Sequence, residues 1–180
     1  MDVDLVGIIE KNPGIKFNEI MRNTGMKNGV LSHHLRKLEE SGSVKITRTT
    51  GNTRYYPLGV GDEEMLVIKH LRQKTFYAVM MLLYENSDLS FRNIVQMTKF
   101  SSSGVSNTLS KLVSEGIVHV KFDKRNKLYH IDKSLIKKIV DICGHNTFTS
   151  NPKLILVYVL LTLSGFRFFS NSLFDFFNIY

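Results

Sequence analysis

Ser32, His33, Arg36 and Lys37 fall at spacings that put them on one side of an α-helix. Their chemistry suits nucleic acid. An arginine guanidinium pairs bidentately with the two acceptors on a guanine edge, serine and histidine make single hydrogen bonds, and a lysine ammonium suits a phosphate. Lys27 and Asn28 open the same segment. Ser103, Ser106, Asn107, Ser110 and Lys111 repeat the spacing farther along with a mostly neutral set. Asn107 can read adenine bidentately, and the serines can reach phosphates or bases. Ser101-Ser102-Ser103 serve equally well as a helix N-cap and turn. Each set is followed by basic residues. Lys45, Arg48 and Arg54 follow the first; Lys121, Lys124, Arg125 and Lys127 follow the second. Residues 119–138 hold seven basic and two acidic side chains, a net of +5. That is enough to grip phosphates, although a solvated charge run has the same composition.

The elements that must position these residues are legible in the apolar pattern. Leu31, Leu35 and Leu38 recur at i, i+4 and i+7, one face of a helix, which leaves Gly29, Ser32, His33, Arg36 and Lys37 on the other. Val105, Leu109 and Leu112 do the same in the second set. Both helices should end at a glycine, Gly42 or Gly116, in a left-handed cap. Two alternating segments follow in each case and predict a hairpin: Ser43–Arg48 with Thr53–Leu58, turning at Thr50-Gly51-Asn52, and Ile117–Phe122 with Lys127–Ile131, turning near Lys124-Arg125-Asn126. Upstream of each third helix lie an apolar helix (Leu5 to Ile9; Val79 to Leu83), a breaker (Asn12-Pro13-Gly14; Asn86-Ser87-Asp88), a short extended piece (Ile15 to Phe17; Leu89 to Phe91) and a short helix starting at Asn18 or Arg92.

The two halves align without a gap at a shift of 74 residues. Phe17 falls on Phe91, Ile20 on Ile94, Ser32 on Ser106, Leu35 on Leu109, Gly42 on Gly116 and Tyr55 on Tyr129. The predicted fold class is mainly α with small β-hairpins: two tandem winged helix-turn-helix domains plus an apolar C-terminal helical segment. The expected division is 1–60 and 75–143 for the two domains, 61–74 for a helical linker and 144–180 for the apolar segment. Asp62 is the expected N-cap of the linker, which forms either one long helix or two with a kink near Lys74. Tyr55, Tyr56 and Tyr129 are expected to pack the hairpins onto the helices rather than touch bases.

Leu31-Ser32-His33-His34-Leu35-Arg36-Lys37-Leu38-Glu39-Glu40-Ser41-Gly42, with the hairpin ending in Arg54-Tyr55-Tyr56-Pro57-Leu58, resembles the ArsR-type winged-helix repressors. Ser106 to Val118 resembles the ArsR and MarR types more broadly, and the tandem arrangement is similar to archaeal predicted regulators with two such domains. The resemblance covers roughly residues 1–143 and implies a transcription regulator that binds double-stranded DNA. Metal-sensing members of the first group carry cysteine ligands near the recognition helix. Here the lone Cys143 lies after the second hairpin. His33 and the flank residue His34 point about 100° apart on a helix, a poor chelating pair. His70, His119, His130 and His145 show no ligand spacing. No metal or cofactor is expected.

Composition agrees with a polyanionic partner. Lys and Arg number 24 against 16 Asp and Glu, a formal charge of +8, and 43% of residues are hydrophobic, enough to bury a core. A single cysteine fits a reducing, cytoplasmic setting, and the acidic Met1-Asp2-Val3-Asp4 start lacks the layout of a secretory signal. The sequence offers no glycine-rich phosphate loop, no nucleophile with a spaced base and no paired carboxylates, so an enzyme is not expected. Residues 144–180 carry only Lys153, Arg167 and Asp175 as formal charges. Three readings of this stretch are open: a dimerisation helix or helix pair, a membrane contact through 154–177, and a ligand pocket between helices. A homodimer through the linker or this segment would match a palindromic site. Winged helices also serve as protein-interaction scaffolds.

Overall fold

Apolar side chains at helical spacing, broken by Asn, Pro and Gly, fold the first part of the chain into α1 (Leu5–Lys11), β1 (Ile15–Lys16), α2 (Phe17–Thr24) and α3 (Asn28–Glu40). The strands β2 (Val44–Thr49) and β3 (Asn52–Pro57) follow. The computed structural model describes residues 3–49, 52–124 and 126–144. Helices α4 (Asp62–Leu71) and α5 (Lys74–Glu85) come next. After them β4 (Leu89–Ser90), α6 (Phe91–Thr98), α7 (Ser102–Ser114), β5 (Val118–Asp123), β6 (Asn126–Ile131) and α8 (Lys133–Gly144) repeat the order.

The shift of 74 residues carries over to the strand register. Ile15 pairs with Tyr55 and Leu89 with Tyr129; Val44 pairs with Pro57 and Val118 with Ile131. Each hairpin gains a third, antiparallel strand, giving sheets ordered β1-β3-β2 and β4-β6-β5. The described chain is therefore a mixed α/β arrangement, not helices with two-stranded hairpins alone. Pairing also extends one residue nearer each turn than the alternation suggested. Asn52 lies opposite Thr49 and Asn126 opposite Asp123, so both asparagines belong to strands.

Both third helices end in the predicted glycine cap. Gly42 has φ +67° and Gly116 φ +73°. Ser43 N–H donates to the Leu38 carbonyl and Gly42 N–H to that of Glu39; Ile117 and Gly116 do the same to Leu112 and Val113. This is the paired arrangement that satisfies a helix's last carbonyls. Helix α2 and its counterpart α6 start one residue earlier than expected, at Phe17 and Phe91.

The linker takes the two-helix alternative, breaking at Arg72 and Gln73, and its N-cap is Gly61 rather than Asp62. Helix α4 is not a free strut. Val67 and Ile68 are buried in one cluster with Val79, Met80 and Leu83 of α5, Leu109 and Leu112 of α7, and Tyr56 and Val60 from the end of the first hairpin. A separate cluster, with Ile9, Ile20, Leu31, Leu35 and Val44 among its members, fills the first unit. Apolar residues of the linker, one of the places where a homodimer could form, thus pack on their own chain. Among the described residues no helix is long and apolar enough to cross a membrane. The segment 144–180, with its dimer, membrane and pocket readings, lies almost wholly outside the described residues.

Candidate nucleic-acid interface

Burial of Leu31 and Leu35 orients α3, and its opposite side is left in solvent. Lys27, Asn28, Ser32, His33, Arg36 and Lys37 are all exposed. The Ser32 hydroxyl donates to Asn28 Oδ1 at 3.1 Å, one turn back. Arg36 Nε lies 3.4 Å from Glu40, with both side chains open to water, so the guanidinium is held weakly and can be recruited. His34, expected on the flank of the core, is exposed and meets His33 edge to face, with ring centroids 5.9 Å apart. Val30 is exposed on the same helix, an apolar group the polar pattern had passed over. Such a side chain suits a thymine methyl.

On the first hairpin the three expected cations separate. Arg48 is exposed and forms a bidentate pair with Glu39 of α3, both contacts 2.6 Å, bracing the hairpin against the helix. The hydrogen bonds from Arg48 hold the Glu39 carboxyl below its ordinary range, and Glu39 in turn raises Arg48. Lys45 Nζ donates to the Val60 carbonyl at 2.7 Å, a structural tie. Arg54 corrects the sequence expectation. It is 8% exposed and donates to the Gly14 carbonyl at 2.7 Å, so it is not offered to a phosphate. Its burial comes from the β1 turn, distant in sequence, closing over that face of β3.

In the second unit Val105, Leu109 and Leu112 are buried, and Ser103, Ser106, Asn107, Ser110 and Lys111 are exposed along α7. The Ser101 hydroxyl accepts from Gly104 N–H at 3.2 Å, a helix N-cap. The capping role and an exposed Ser103 therefore coexist. Lys111 lies 3.0 Å from Glu115, which also meets Lys69 at 3.6 Å and His70. His70 is 1% exposed, stacks on Phe76 and contacts Glu115 through Nε2, while its Nδ1 has no hydrogen-bond partner among the described residues. Burial pushes the imidazole below its ordinary value, outweighing the pull of Glu115. Glu115 is pushed up by burial but held low overall by Lys111 and His70. No local pattern announces this junction, because it joins α4 to the end of α7 across 45 residues.

The second hairpin displays Lys121, Lys124 and Lys127, all exposed. Lys121 is paired with Asp88 at 2.7 Å, and Lys127 Nζ lies 5.2 Å from the Tyr129 ring centroid. Lys124 adopts φ +54° at the turn. Arg125 lies outside the described residues. Lys133 and Lys137, counted with this basic run, stand on α8, not on the hairpin. Tyr55, Tyr56 and Tyr129 are buried, as packing residues would be. Among the described residues no group of three or more His, Cys, Asp or Glu is placed to hold a metal.

A family model, HTH_HVO_0163_N, described as an N-terminal HTH domain, matches residues 3–68. A Methanocaldococcus jannaschii protein named uncharacterized HTH-type transcriptional regulator MJ1398 is 26% identical over 136 residues. That alignment covers 74% of this chain but only 34% of the relative, so the chain spans about a third of its length. A solved structure concerned with regulation of DNA binding of Bordetella bronchiseptica BpsR by 6-hydroxynicotinic acid is 16% identical. It covers 75% of this chain and 98% of its own, with a TM-score of 0.35, too low to establish a shared arrangement. The stretch that matches the helix-turn-helix model spans α1 to α3, the first three-stranded sheet and most of α4.

Proposed function

We propose that this protein is a DNA-binding transcriptional regulator in which two winged-helix units of ArsR- and MarR-like build act in tandem on duplex DNA. What supports this most is that α3 and α7 each bury a leucine-lined face and leave a row of hydrogen-bond donors and acceptors exposed, with exposed lysines on the hairpin that follows α7. A helix of this length fits the major groove, with its outward side chains at base edges.

In this reading α3 is the sequence-reading element. Arg36 and His33 face bases, and Ser32 and Asn28 assist. Lys27 and Lys37 take phosphates. Helix α7 contributes Asn107 with Ser103, Ser106 and Ser110, and Lys111 is available to a phosphate. Lys124, Lys127, Lys121 and Arg125 hold the backbone from the second hairpin. Arg48 serves as a brace for the first hairpin and Arg54 has no DNA role. A homodimer matched to a palindromic site would have to form outside the core that α4 completes.

The test is selection of bound sequences from a random duplex pool by the purified chain, followed by gel shifts on the enriched site. Recovery of a defined motif, with affinity falling steeply as salt rises, is the expected result. No retention of duplex at low salt would refute the reading.

A further inference from the structure

The end of the second hairpin carries an aromatic ring in water. Phe122 is 74% exposed. Strand alternation places it with Val118 and Val120 on the sheet face that packs against the helices. The rungs of that face run Val118 with Ile131, Val120 with Tyr129, and Phe122 with Lys127. Val118, Ile131 and Tyr129 are buried and Val120 half-buried, but the third rung has run past the helices into solvent.

A single exposed apolar side chain is ordinary on a protein surface. The surroundings set this one apart. The counterpart of Phe122 in the first unit is Arg48, which reaches back to Glu39 on α3. This rung therefore looks toward the third helix of its unit. In the second unit Glu39 is replaced by Val113, and Phe122 stays out in solvent instead of reaching back. Lys127 lies opposite Phe122 in the strand register and Lys124 follows two residues on at the turn, both exposed, with the exposed Asp123 as the one acidic neighbour, so an apolar flat group stands among mostly cationic positions. A nucleic-acid duplex offers the complement: anionic phosphates flanking stacked aromatic bases. An anionic lipid surface would match the charge, but one ring buries too little apolar area to hold there.

Resting on the DNA-binding reading above, we infer that Phe122 is a wedge that enters the minor groove and stacks at a base step, with Lys124 and Lys127 on the flanking phosphates. Apolar side chains inserted this way partly unstack the step and bend the duplex. The step should be a flexible pyrimidine–purine one, such as TA, because it unstacks most readily.

The experiment uses the full chain and a short labelled duplex of mixed sequence with a central TA step, carrying 2-aminopurine beside that step. Anisotropy titrations at several salt concentrations give affinity and salt slope. Phe122→Ala should bind about tenfold more weakly with the slope unchanged, since no phosphate contact is lost. Phe122→Leu should keep most of the affinity. The 2-aminopurine signal should rise on binding of the unmodified chain and not of Phe122→Ala. Equal affinity and equal signal for Phe122→Ala would overturn the wedge while leaving DNA binding intact. So would a shift of Phe122→Ala from dimer to monomer in sedimentation, or loss of binding to anionic vesicles with duplex binding unchanged. If the unmodified chain binds no duplex, both this inference and the regulator reading fall.

Discussion

Gly25 and Lys99 end corresponding helices, α2 and α6, and both adopt a left-handed backbone, φ +68° and +56°. Glycine takes that conformation freely, whereas a residue with a Cβ is disfavoured by about 1–2 kcal/mol. Lys99→Gly should therefore raise stability by about 1 kcal/mol, read from the urea midpoint with an unchanged slope. Among groove-facing residues, Arg36→Ala should cost about 1–3 kcal/mol at a preferred site and relax its specificity. Lys124→Ala should weaken all sequences alike and lower the salt slope by about 0.9. Parallel titrations on selected and scrambled duplexes separate the two. The leucine spacing made Ser32, His33, Arg36 and Lys37 legible as outward, because periodicity alone fixes which way a helix faces. It could not reveal that Arg54 is covered. Alternation gives a strand residue its face, but what lies on that face is set by the Gly14 turn, 40 residues away.

At the level of elements, the contact between α4 and α7 carries a proton-sensitive group. His70 is held neutral by burial, facing Glu115, Lys69, Lys111 and Phe76. A proton added at Nδ1 would create a buried donor without an acceptor. The folded state thus binds that proton less readily than the unfolded chain does. The resulting stability is present above the ordinary value of 6.5 and is lost as pH falls through the folded value. Denaturation midpoints should drop between about pH 7.5 and about pH 5.5, and His70→Leu should flatten that decline. An equal decline in the variant would rule His70 out as its source. Arg72 makes the comparable contact to the first unit, donating to Glu19 at 2.7 Å and to the Pro13 carbonyl at 3.3 Å. Burial alone would raise the Glu19 carboxyl, but the Lys16 N–H and Arg72 outweigh it and hold it low. Arg72→Ala should cost about 1 kcal/mol, discounted for partial exposure. Neither contact was readable in advance. Repeats show which elements recur, whereas docking depends on side chains such as Arg72 and Glu115 that have no matching partner in the other copy.

For the whole molecule, the shared burial of Tyr56, Val60, Val67, Ile68 and Leu112 predicts one cooperative unfolding transition rather than two. Calorimetric and van't Hoff enthalpies should agree, and two resolved heat-absorption peaks would refute a common core. The periodic pattern suggested two copies of one unit, with a helical linker between them that sets their spacing or pairs with a second chain. Its apolar positions read the same whether they pack on a second chain or on their own, which is why the fusion was invisible. This fusion has a further consequence. With both third helices engaged on one duplex, the molecule would act as a ruler: it would tolerate base changes far better than inserted base pairs. Adding about half a helical turn between its two contact regions would carry one of them round to the far side of the DNA.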